Sequence, residues 1–153
     1  MNYLLQHPVT GIMRSEKFVT AIHWRNGLPI TDEPEKLGGK DIGPDPYTLL
    51  LSALVSCTLA TLRMYINHKN LNIAGISVKA NMFQNIANGG TVTHFERLII
   101  IPGLADADLQ QRLMRIAENC PVSKILKGDI RIISAFSSTG TETPPSKTDL
   151  NIN

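Results

Sequence analysis

The two cysteines are the side chains in this sequence best equipped for covalent chemistry. Cys57 falls inside a long apolar run, and Cys120 falls just before Pro121. They lie far apart in the chain, so the fold alone decides whether they meet. By residue type alone, two inert buried thiols are the better reading, because free cysteine is among the most buried residue types. Spacing speaks against a closed zinc site: no cysteine or histidine has a second one two to five residues away. His68 follows Cys57 by eleven residues, on the same helical face. That spacing rises about 16 Å, whereas a general base must come within about 3 Å. The pair cannot act on one helix. His7, His23 and His94 stand isolated, as surface or core histidines do. Arg25, just before Asn26-Gly27, is an ordinary loop cation unless the fold brings it to Cys57.

The elements that must position these groups follow from turn and helix signals. Residues 9–24 run in short β-prone stretches, clearest over Phe18–Trp24, and Asn26-Gly27 marks a turn before Leu28-Pro29-Ile30-Thr31. This predicts a hairpin with Arg25 at its tip. A loop with Pro34, Gly38, Gly39, Gly43 and Pro44 follows. Its Gly38-Gly39-Lys40 resembles the end of a phosphate loop but lacks the earlier glycine and the following Ser or Thr, so it reads as a flexible turn. Asp45 as N-cap and Pro46 in the first turn then predict a helix to about His68. That helix is apolar nearly all round through Leu62, with a patch of small residues at Ser52, Ala53, Ser56, Cys57 and Ala60. Strands are predicted over Ile73–Met82 and Thr91–Ile101, joined at Asn88-Gly89-Gly90. A second helix, capped by Asp106 or Asp108, carries Leu109, Leu113, Ile116 and Ala117 on one face and breaks at Cys120-Pro121. Val122–Leu126 predicts a further helical turn, and Ile130–Ile133 a last strand.

The order predicts an α+β fold, an antiparallel sheet backed by helices. One domain over residues 1–138 is expected, with a disordered tail over 139–153 rich in Thr, Pro and Ser. A chain of 153 residues has trouble covering a helix that is apolar on all sides, so a two-fold dimer is expected. Fifteen basic against thirteen acidic residues, without a basic block, give no support for nucleic acid as a partner. Tyr47–Ile66 is just long enough to cross a bilayer, but its Ser and Thr residues and Arg63 suit a buried central helix, and no membrane partner is expected. The N-terminus does not read as a signal peptide, which makes a reducing cytoplasm the expected compartment. There any disulfide is more plausibly transient than structural.

Two stretches resemble the OsmC/Ohr family: Gly43-Pro44-Asp45-Pro46-Tyr47-Thr48 through Ser56-Cys57-Thr58, and Glu118-Asn119-Cys120-Pro121-Val122-Ser123. The resemblance runs from about Arg25 to Ser134. It implies an intertwined homodimer with long central helices and an active site at the subunit interface. It implies a peroxidase for organic hydroperoxides with no bound cofactor, recycled by an external dithiol or a lipoylated protein. It implies that Cys57 is the peroxidatic cysteine, Cys120 the resolving one, and Arg25 the catalytic arginine. The sequence departs from the family at one place. A Glu that holds the arginine is usual one or two residues after the helix Pro, and here Tyr47 and Thr48 stand there. Asp45, Asp41 or Glu33 could take its place, and Tyr47 and Thr48 become candidate substrate-binding residues.

The arginine's task can be bounded. A thiol near pKa 8.5 is about 3% thiolate at pH 7, and lowering it to about 6 gives about 90%. Intrinsic nucleophilicity falls with pKa along a Brønsted slope of about 0.4–0.5, which removes most of that gain. Arg25 is therefore expected mainly to orient the peroxide and stabilise charge on its oxygens. Two other readings compete: an OsmC-fold binding module with weak chemistry, and a dithiol–disulfide exchange protein. The absence of a Cys-x-x-Cys motif counts against the second.

Overall fold

The Asp45 carboxylate accepts the Thr48 N–H at 3.0 Å and the Thr48 hydroxyl at 2.8 Å, and Pro46 follows, where a missing N–H costs nothing. From that cap α1 runs Pro46–His68, as the sequence predicts. In this computed structural model, which describes residues 3–87 and 89–138, α1 is the axis on which everything near the cysteines is built. The predicted tail over 139–153 lies outside the described residues. Arg63, the one Lys or Arg of α1, donates to the Ile73 carbonyl at 2.9 Å and the Ala74 carbonyl at 3.1 Å. It thereby fixes the chain as it turns back towards the sheet.

Before α1, strands β1 (Thr10–Met13), β2 (Thr20–His23) and β3 (Ile30–Thr31) form one antiparallel sheet in chain order. After it, β4 (Ser77–Ala87) and β5 (Gly90–Ile100) form a second, two-stranded antiparallel hairpin, with Ser77 opposite Ile100 and Ala87 opposite Gly90. Gly89, with φ 80°, supplies the left-handed turn. Helix α2 (Ala107–Glu118) starts at Asp106, whose carboxylate accepts the Leu109 N–H at 3.0 Å. Pro121 starts α3 (Pro121–Lys127).

The core lies where α1 meets α2 and the long hairpin. Leu62, Ile66, Leu113 and Ala117 are buried together, and Ile73, Ile99, Ile101 and Leu109 close around them. The buried positions of α1 are Leu54, Thr58, Leu62 and Ile66, four residues apart in turn and so on one stripe. The small-residue patch lies off it: Ser52, Ala53, Ser56 and Ala60 are all exposed. Leu49, Leu50 and Met64 are exposed as well. The helix is long and apolar enough to span a bilayer by length and composition. One such helix with its core stripe packed on sheet and helices is weak evidence for a membrane.

Three expectations change. The two hairpins do not join: the antiparallel strands fall into two small sheets. Ile130–Ile133 forms no strand, and Ile130, Ile132 and Ile133 are exposed. A β-prone run becomes a strand only against an edge that offers backbone partners, and none is paired with it among the described residues. The Gly38-Gly39-Lys40 turn is tightly built and not flexible. The buried Asp32 carboxylate accepts the Glu33 N–H at 2.9 Å and the Lys40 N–H at 2.8 Å. A Cβ on Gly39 would run into the Glu33 carbonyl. Burial pushes the Asp32 carboxyl up, but backbone donors from Lys40, Glu33 and Ile42 outweigh it and hold the group below its ordinary value.

Candidate active site

Helix α1 delivers Cys57 half-buried, one residue before the buried Thr58. The end of α2 delivers Cys120, which is fully buried. The break at Cys120-Pro121 has a local cause. Cys120 is extended and caps α3, its Sγ accepting the Ser123 N–H at 3.4 Å. The same turn aims the Val122 N–H at Cys57 Sγ, 3.5 Å away. Val122 lies two residues after Cys120, so this contact sets Cys57 beside the Cys120 turn. The fold thus brings together the two cysteines that the sequence could only name.

Around Cys120 a small polar cage sits in otherwise apolar packing. Ser123 Oγ lies 3.0 Å and Thr58 Oγ1 3.8 Å from its sulfur. Behind both hydroxyls stands Arg97 of β5, whose Nη1 donates to Thr58 Oγ1 at 2.7 Å and to Ser123 Oγ at 3.1 Å. Thr58 passes its own proton to the Leu54 carbonyl at 2.7 Å. No buried side-chain nitrogen or oxygen among the described residues lacks a partner. Burial pushes the Cys120 thiol up. Hydrogen bonds from the Ser123 hydroxyl and N–H lead the contributions that outweigh it and bring the thiol from 9.0 to about 7. The group is therefore ionised at lower pH than an ordinary thiol.

The remaining expected site residues lie elsewhere. Arg25 is at the tip of a two-residue turn, closed by the Trp24 N–H to the Gly27 carbonyl and its reverse, both 3.2 Å. It is exposed and makes no hydrogen bond or ion pair among the described residues. Tyr47 and Thr48 line an open cleft of about 520 Å³ at the start of α1, with Glu33, Lys36, Leu37 and Phe83. Neither cysteine lines that cleft. Thr48 is also committed to the Asp45 cap, which leaves that carboxylate partly occupied. Hydrogen bonds from the Thr48 N–H and hydroxyl hold the Asp45 carboxyl below its ordinary value. Among the described residues no group of three or more His, Cys, Asp or Glu could hold a metal ion.

Sequence reasoning missed Thr58, Ser123 and Arg97 as members of the site. Thr58 and Ser123 carried a signal, since each is a hydroxyl close in sequence to a cysteine. Arg97 carried none, because a strand arginine beside Glu96 reads as an exposed sheet residue.

The comparisons with known proteins fit this arrangement. The family model described as OsmC-like protein matches residues 38–134. No curated protein matches the chain. Solved structures do. An organic hydroperoxide resistance protein from Elizabethkingia anophelis is 24% identical, with a TM-score of 0.64, covering 84% of this chain and 93% of that one. The organic hydroperoxide resistance protein OsmC from Legionella pneumophila is 16% identical, with a TM-score of 0.60, covering 81% and 92%. OhrB of Bacillus subtilis, also an organic hydroperoxide resistance protein, is 20% identical, with a TM-score of 0.58, covering 83% and 94%. At these identities the likeness establishes the fold.

Proposed function

The chain belongs to the OsmC-like protein family, and on that premise we propose that it is a cysteine-based peroxidase that reduces organic hydroperoxides. The observation that carries the reading is the pair of neighbouring thiols, Cys57 half-buried and Cys120 fully buried in a hydroxyl cage. Solved relatives of the same fold are organic hydroperoxide resistance proteins. That supports the substrate class without fixing it.

In the proposed cycle the Cys57 thiolate attacks the distal oxygen of the hydroperoxide. The O–O bond breaks, the alkoxide takes up a proton to leave as the alcohol, and Cys57 becomes a sulfenic acid. The Cys120 thiolate then attacks the Cys57 sulfur. The S–O bond breaks, hydroxide leaves as water after protonation, and a disulfide forms. An external dithiol, free or on a lipoylated protein, returns both thiols. The difference in burial supports these roles: peroxide must reach Cys57, while Cys120 has only to meet its neighbour.

The active unit in this reading is a two-fold dimer in the cytoplasm. The exposed stripe of small residues on α1 offers a second copy close approach, and the exposed Ile130–Ile133 run offers it strand-forming backbone. A second copy is also the route by which an Arg25 reaches a Cys57, with Tyr47 and Thr48 lining the way in. Steady-state assay tests the reading: cumene hydroperoxide, dihydrolipoamide and wild-type protein beside Cys57→Ser. Consumption of hydroperoxide that requires Cys57 supports it. Equal, background consumption by both proteins rejects it in favour of a binding module.

A further inference from the structure

We infer that Arg97 is a positioning residue for Cys120, acting at one remove by turning the Ser123 hydroxyl proton onto the sulfur. The inference rests on the count of protons in the cage. Arg97 Nη1 carries two N–H groups and places one on each hydroxyl, at 2.7 Å on Thr58 Oγ1 and 3.1 Å on Ser123 Oγ. A guanidinium only donates, so both oxygens must accept from it. Thr58 has a single proton, and the Leu54 carbonyl takes it at 2.7 Å. Ser123 also has one proton. With Arg97 occupying a lone pair, the acceptor left for it is Cys120 Sγ, 3.0 Å away. The sulfur then receives two donors from one residue, the Ser123 hydroxyl and the Ser123 N–H at 3.4 Å. Thr58 Oγ1, its proton spent, can only accept from the thiol, across 3.8 Å.

The arrangement therefore favours the ionised sulfur without a cation touching it. Arg97 decides which way the hydroxyls point, and its charge lies one hydroxyl away. The other charged and titratable groups nearby are His94 of β5 and Lys127 of α3, which line a cleft of about 280 Å³ with Arg97 and Ser123, and Cys57 of α1. Glu118 of α2 and Lys124 of α3 are exposed. Among the described residues, of these groups Arg97 is the one that hydrogen-bonds to the cage hydroxyls. In the proposed cycle, on which this consequence rests, the thiolate so held is the one that closes the disulfide.

The test needs no peroxide. In a Cys57→Ser background, thiolate absorbance at 240 nm and the rate of iodoacetamide alkylation are followed from pH 5 to 10, with Arg97→Met, Arg97→Lys and Ser123→Ala added. The expected result is a Cys120 titration that moves to higher pH in Arg97→Met and in Ser123→Ala. Alkylation at pH 7 should fall at least three-fold in each, and Arg97→Lys should recover part of it. A Cys120 titration unmoved in folded Arg97→Met overturns the inference. Should Arg97→Met fail to fold, Ser123→Ala decides alone, and an unmoved titration there overturns it equally. With Cys57 restored, single-turnover oxidation should leave sulfenic acid on Cys57 for longer in Arg97→Met. No oxidation of Cys57 at all would defeat the peroxidase reading and leave the titration result standing.

Discussion

Reduced protein should gain stability as pH rises from 7 to 9, and Cys120 should be the reason. The folded state holds this thiol at about 7 against an ordinary 9.0. The group is therefore ionised earlier in the folded chain than in the unfolded one. Its contribution is absent well below pH 7, is fully present above the unfolded value, and is lost as pH falls through the folded value. Linkage with a shift of this sense and order gives about 1 kcal/mol at pH 8, about 2 kcal/mol at pH 9 and almost nothing at pH 6. Other groups titrate in this range, so the quantity to follow is a difference. Urea unfolding of wild type and of Cys120→Ala, both kept reduced, should be compared at pH 6, 7, 8 and 9. Removing a buried sulfur costs Cys120→Ala a constant amount from lost packing. On top of it the gap between the proteins should widen by about 2 kcal/mol from pH 6 to 9, with most of the change above pH 7. A gap that stays constant across that range would show that the cage does not favour the thiolate, and the reasoning about Ser123 would fail with it.

Other outcomes follow from the same structure. Thr58→Val keeps shape and burial but strips Arg97 and the Cys120 cage of a hydroxyl. It should cost about 2 kcal/mol of stability in urea and slow disulfide closure. Leu62→Ala opens a cavity where α1 meets α2 and should cost about 2–5 kcal/mol by the same measurement. Ser56→Arg, on the exposed stripe of α1, should shift sedimentation from two copies to one. A single-copy wild type would remove the argument for a dimer. Arg25→Lys keeps the charge and loses the fork. It should lower turnover with organic hydroperoxide, and an unchanged rate would deny Arg25 the orienting role. Apolar surroundings of Cys57 should favour a bulky hydroperoxide over hydrogen peroxide, by about 25 cal/mol per Å² of organic group buried, and comparable rates would count against this.

Much of the fold was legible because the signals were local. Asp45-Pro46 started α1 where it starts, Asp106 capped α2 and Gly89 turned the long hairpin, whereas α1, read as apolar nearly all round, buries one stripe at 54, 58, 62 and 66. The expectation over Ile130–Ile133 missed because β-propensity states a preference and not a partner. The Gly38-Gly39 turn was misread because its stiffness comes from Asp32, a carboxylate buried by the loop it organises. For the site, residue type and family resemblance singled out Cys57 and Cys120. What surrounds Cys120 was not legible. Thr58, Ser123 and Arg97 come from three different elements, and only the packing of the β4–β5 hairpin and α3 against α1 puts their hydrogen bonds in one place. Arg25 shows the reverse case. Its turn was foreseen, but among the described residues it makes no hydrogen bond or ion pair, and the three-stranded sheet that carries it has no extensive packing on the helices.

The central claim is that Cys57 and Cys120 form a peroxide-driven couple. The most direct measurement is to reduce the protein, remove the reductant, and add one equivalent of an organic hydroperoxide. Free thiols and intact mass are then followed beside Cys57→Ser and Cys120→Ser. The account predicts rapid loss of both thiols in wild type, a mass two hydrogens lighter, and a Cys57–Cys120 bridge by peptide mapping. In Cys120→Ser it predicts a trapped sulfenic acid on Cys57. Thiols that survive the hydroperoxide in a folded protein would contradict it.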